Sequence, residues 1–160
     1  MSTIRNHQFE LAVGQLTYAT AGTGGGQVAT NNTETELELD VFNGNDTTLI
    51  TKHSSGRIQV NAAGWYLCNL NLLKIDGTDT SQLCQIQYST NGGSSFDDVT
   101  EWTQQDILHN NRTLHTSGII YLATGALVRG QGYSYTHTTR WGYTSSARKT
   151  QSSLTVVRVG

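Results

Sequence analysis

The stretch Ser55-Gly56-Arg57-Ile58-Gln59-Val60-Asn61-Ala62-Ala63-Gly64-Trp65-Tyr66-Leu67-Cys68 hands one strand to the next across a turn. Ile58 and Val60 alternate with Arg57 and Gln59, the period of a half-buried strand. Residues 61–64 supply Asn and Gly turn chemistry, and an apolar run over 65–73 begins at once. Within that run Tyr66, Cys68, Leu70 and Leu72 share one apolar face, while Leu67, Asn69 and Asn71 point the other way. A mixed opposite face suits an interface.

The rest of the chain reads the same way. It has 160 residues, 36% of them hydrophobic, enough for one domain with a single core. Charged residues make up only 14%, against roughly 25% in an average globular protein. Thr, Ser, Asn, Gln and 17 Gly carry the polar balance, and lysine is scarce, a composition that favours strands over helices. With no proline at all, turns must rely on Gly, Asn, Asp and Ser.

Working outward, residues 1–16 predict a short strand or extended arm, and 19–33 a Gly- and Thr-rich surface loop. Leu37, Leu39 and Val41 alternate with Glu36, Glu38 and Asp40, which predicts one strand with an acidic, solvated face. Further strands are expected over 83–88, closed by an Asn91-Gly92 turn, then, after a returning segment that begins over 96–102, over 114–122, 127–135 and 152–159. Residues 104–112 read as a polar connection with room for a helical turn. The Thr-, Ser- and Arg-rich segment 136–150 reads as an exposed loop open to a ligand through Arg140, Trp141 and Tyr143. No crossover helix is long enough to join parallel strands, so an all-β, antiparallel sandwich follows. Its domain plan is an N-terminal arm and loop over 1–33 joined to a sandwich over 34–160.

Three motifs stand in order: Gly56-x-Ile58-x-Val60-x-x-x-Gly64-x-Tyr66, then Leu122-Ala123-Thr124-Gly125 leading to Leu127 and Val128, then Leu154-Thr155-Val156. The series resembles the globular heads of the complement and tumour necrosis factor superfamily, whose trimeric jelly rolls also occur on bacteriophage virions. That resemblance implies a jelly-roll β-sandwich in which the sheet carrying Tyr66, Tyr121 and Val156 faces the three-fold axis of a homotrimer. Parity then divides the residues. Tyr66, Cys68, Leu70, Ile120, Leu122, Leu154 and Val156 are expected in the core, and Leu67, Asn69, His115, Ser117, Ile119, Tyr121, Thr155 and Val157 at the trimer interface.

Catalytic and cofactor chemistry finds no candidates. The five histidines, His7, His53, His109, His115 and His137, lack the paired spacing of a zinc site, and no metal is expected. Gly22-Thr23-Gly24-Gly25-Gly26 has no Lys-Ser/Thr after it, so it is a flexible loop and not a phosphate cradle. Cys68 and Cys84 sit in apolar runs and read first as small buried hydrophobes, second as a disulfide. A formal net charge of -2 with no basic stripe argues against nucleic acid, and no apolar run is long enough to cross a bilayer as a helix.

The expectation is therefore a non-enzymatic structural protein of a tailed-phage virion, a homotrimer decorating the capsid through the major capsid protein or another virion protein. The start lacks the pattern of a signal peptide, which places assembly in the host cytoplasm and disfavours a secreted cytokine-like ligand. The alternative is the receptor-binding tip of a tail fibre or spike, with the 136–150 loop stacking on cell-surface glycan.

Overall fold

The computed structural model describes residues 11–18, 27–54, 56–77, 81–106, 112–135, 139–142 and 152–160. Two antiparallel sheets face each other, and the described residues include no helix. The first sheet runs in the order β4 (Val41–Gly44), β1 (Val13–Thr17), β14 (Ser153–Arg158), β7 (Gly64–Gly77), β11 (Arg112–Leu122). At the far end of β7 it continues through β13 (Thr139–Trp141) to β2 (Gln27–Ala29). The second sheet follows the order β10 (Thr103–Asp106), β8 (Ser81–Ser89), β12 (Leu127–Ser134), β6 (Arg57–Val60), β5 (Ile50–Ser54). Beside β12 lies β3 (Thr33–Glu36), and beside β8 lies β9 (Asp97–Asp98).

The opening handover is a corner of this sandwich: β6 lies in one sheet and β7 in the other. Hydrogen bonds lock the corner to a second turn. Val60 N–H donates to the Ala126 carbonyl (3.0 Å), and Gly125 N–H donates back to Val60 (2.8 Å). Gly125 adopts a left-handed φ of 86°, which a side chain would strain. Tyr66 is buried with its hydroxyl donating to the Ala62 carbonyl at 2.6 Å, so the motif's aromatic ring fixes the turn before it.

Between the sheets, Tyr66, Cys68, Leu70 and Leu72 of β7 pack with Ile58, Val60, Cys84, Ile86 and Val128 of the opposite sheet. Leu122, Leu154 and Val156 join them fully buried, and Ile120 is partly buried against the same cluster. Both cysteines are free thiols, and burial pushes each pKa up to about 12. They are inert hydrophobes at neutral pH.

Three local expectations change. The alternation over 36–41 is not one strand: β3 ends at Glu36 in one sheet, and β4 begins at Val41 in the other. Leu37 and Leu39 are buried in the irregular crossing between them, where hydrophobic anchoring needs no ladder. The short strand that residues 1–16 allowed is present, by contrast, as Val13–Thr17, held between β14 and β4. Thr103–Asp106 forms a strand where the polar connection was expected to begin, residues 107–111 of that connection lying outside the described residues, and Thr139–Trp141 forms another strand within the expected loop.

Candidate interaction surface

Because side chains alternate along a strand, the odd positions of β7, β11, β14 and β1 all point away from the core. The register aligns them in rows. Tyr121 lies opposite Trp65, and the two rings meet edge to face with centroids 5.7 Å apart. Next comes an apolar row, Ile119, Leu67, Val157 and Val13. A polar row follows, Ser117, Asn69, Thr155, Gln15 and Asn43, in which Gln15 Nε2 donates to Thr155 Oγ1 at 3.1 Å. His115 Nδ1 and Asn71 Oδ1 lie 2.9 Å apart beyond it. Ile119 is 63% exposed, Tyr121 55% and Trp65 52%. None of these positions carries Asp, Glu, Lys or Arg.

All eight residues expected at an interface from parity lie on this one outward face. Sequence reasoning put Asn71 on this face beside Leu67 and Asn69 but left out Trp65, Val13 and Gln15. Trp65 shares the parity of Leu67 and was within reach of the same rule, while Val13 and Gln15 needed the pairing of β1 with β14.

Solved structures share this arrangement of strands. Murine APRIL at pH 8.5 matches with a TM-score of 0.65 and 12% identity, over 94% of this chain and 100% of that chain. Murine APRIL at pH 8.0 gives a TM-score of 0.66 at 11% identity, with the same coverage. Eiger TNF from S. frugiperda gives 0.62 at 11% identity, over 93% of this chain and 92% of that chain. The fold is a tumour necrosis factor-like jelly roll. No protein-family model and no curated protein matches the sequence.

The jelly roll corrects the expected ligand loop. Trp141 is fully buried, and its Nε1–H donates to Gln82 Oε1 at 2.7 Å. The reason is β13, which pairs with β7 and turns the indole into the sandwich. Gly132 of β12 makes room for it: a Cβ there would come within 2.4 Å of the indole. Trp141 is therefore unavailable to stack on a sugar. Arg140 is half-exposed, and Tyr143 lies outside the described residues.

On the other sheet of the jelly roll, the expected solvated acidic face is also revised. Glu36 accepts from Arg57 Nε at 2.6 Å and Nη2 at 2.8 Å, and from Arg129 Nη1 at 2.8 Å. Phe96 completes the cluster, with the Arg129 guanidinium 3.7 Å and the Arg57 guanidinium 5.1 Å from its ring centroid. Arg129 also reaches Gln87 Oε1, and Gln87 Nε2 donates to Asp98 Oδ1 at 3.0 Å, tying the hairpin after β8 to the sheet. Partial burial pushes the Glu36 carboxyl pKa up. Hydrogen bonds and charge from Arg57 and Arg129 outweigh that and hold it below the ordinary carboxylate value.

A depressed folded-state pKa stabilises above the unfolded-state value and loses its contribution as pH falls through the folded-state one. Glu36→Gln is therefore expected to lose about 1–3 kcal/mol near neutral pH. Urea unfolding of the two proteins at pH 7 and pH 3 checks it, the gap narrowing at the lower pH.

Among the described residues no three His, Cys, Asp or Glu side chains gather where they could hold a metal ion.

Proposed function

We propose that this chain is a non-enzymatic homotrimer whose subunits meet through the outward face of the β4–β1–β14–β7–β11 sheet. We further propose that the trimer is a structural protein of a tailed-phage virion, bound to the capsid as a decoration that stabilises the shell. The carrying observation is the uncharged face itself, with Ile119, Tyr121 and Trp65 each more than half exposed on a stiff sheet. Charge depletion with aromatic enrichment marks the centre of protein interfaces, and large apolar patches are rare on monomers. A single face that meets a different part of its neighbour closes into a ring when the rotation fits. The tumour necrosis factor-like fold supports three as the number. A face with little charge, and the absence of a catalytic constellation among the described residues, favour a protein that works by binding.

Two measurements test the reading. Native mass should be three times the 17.4 kDa chain, and a monomer at every concentration overturns the assembly. Purified trimer should bind capsids of the encoding phage and raise the temperature at which they release DNA. A trimer that does neither overturns the capsid role while leaving the assembly standing.

A further inference from the structure

A small pocket opens on the outward face of the second sheet, away from the proposed subunit contact. Among the described residues it is lined by Glu34, Leu83, Trp102, Tyr133 and Tyr135, with a volume of about 160 Å³. The ladder builds it: Tyr133 of β12 lies between Glu34 of β3 and Leu83 of β8. Trp102, just before β10, stands 6.2 Å from the Tyr133 ring at 66°, and Tyr135 stands 5.1 Å from it at 80°. Mutually inclined rings form walls, where a flat stack would form a platform. Tyr133 is held in place by its hydroxyl, which donates to Asn32 Oδ1 at 3.1 Å.

We propose that this pocket binds a quaternary ammonium group. Three aromatic rings offer electron-rich faces that attract a cation within about 6 Å, and the Glu34 carboxylate supplies the matching charge, with no cationic side chain among the described residues of the lining. The polar inventory separates the ligand classes. A primary ammonium needs acceptors for three N–H bonds, and a sugar ring needs several donors and acceptors. Here the described lining offers one carboxylate, the Trp102 indole N–H and two tyrosine hydroxyls, one of them already bonded to Asn32. A methylated ammonium needs none of these bonds. The small volume suits a headgroup better than a drug-sized ligand, whose pockets start near 300 Å³.

The chain has three tryptophans, and only Trp102 lines the pocket: Trp65 is on the opposite sheet and Trp141 is buried. Their three indole N–H signals in an NMR spectrum therefore report separately. Choline chloride at millimolar concentrations should move the Trp102 signal and leave the other two, with sodium chloride as the control. Glu34→Gln should weaken the effect about two- to fivefold, and Tyr135→Ala, at an exposed position, should weaken it with the fold intact. Vesicles of phosphatidylcholine, set against phosphatidylglycerol, tell a lipid headgroup from soluble or polymer-tethered choline; binding to either source supports the site. A Trp102 signal indifferent to choline, or moved equally by methyl glucoside, overturns the proposal. Because the pocket lies on the other sheet from the proposed contact face, choline titration of the Leu67→Glu monomer separates failure of the pocket from failure of the trimer.

Discussion

Trp141→Ala is expected to lower the unfolding free energy by about 3–5 kcal/mol, the range for deleting a fully buried large aromatic side chain. Two losses add. The indole leaves a cavity that β12 cannot fill, because the residue packed on it is Gly132, which has no side chain to relax inward. Gln82, itself fully buried, loses the hydrogen bond that Nε1–H donated to its Oε1 at 2.7 Å, and losing a buried hydrogen bond carries its own cost. A domain of this size has only about 5–15 kcal/mol to lose, so the variant should melt many degrees lower. Trp141→Phe restores ring volume without the hydrogen bond and should fall between. Gly132→Ala should be costly in the native background, where its Cβ meets the indole, and nearly free in the Trp141→Ala background. That non-additivity, read from urea unfolding of the four proteins, identifies the contact itself. A loss under about 1 kcal/mol for Trp141→Ala would return the residue to the surface, where the Thr- and Ser-rich flanks had placed it.

Trp141 also marks the limit of what the chain reveals before folding. Period-two alternation made the faces of β7 legible: Tyr66, Cys68, Leu70 and Leu72 are buried, and Leu67 and Asn69 point outward. The same rule transferred to β11 and β14 because each pairs with β7 in regular register. It failed at Thr139–Trp141, since a three-residue strand is too short to show a period and the sequence around it is rich in Thr, Ser and Arg. It failed again over 36–41, where two buried leucines keep the alternation of a strand while the chain crosses between sheets. Glu36 was illegible for a different reason. Its partners Arg57 and Arg129 lie 21 and 93 residues away, and no local pattern carries that pairing. The aromatic pocket was hidden likewise, because Glu34, Leu83, Trp102 and Tyr133 converge only once β3, β8, β10 and β12 are aligned.

On the proposed subunit face, Leu67→Glu is expected to convert the trimer into folded monomers. Leu67 sits in the middle of the apolar row, between Ile119 and Val157, and is only half-exposed before any neighbour arrives. A carboxylate sealed there without a partner costs several kcal/mol, and each 1.4 kcal/mol is about tenfold in association. The penalty recurs at every interface of the ring, so even a few kcal/mol per contact should move assembly beyond accessible concentrations. Tyr121→Glu, at a position already 55% exposed, should weaken the trimer while leaving it recoverable at high protein concentration. The isolated subunit keeps both side chains in water, so circular dichroism should remain that of a folded β protein. Thermal stability of the native trimer should rise with concentration and that of the Leu67→Glu monomer should not, because only the former couples folding to association. Glu34→Gln, on the other sheet, should leave the mass unchanged. An intact trimer carrying Leu67→Glu would mean that the subunits meet elsewhere and that the uncharged face serves a different partner.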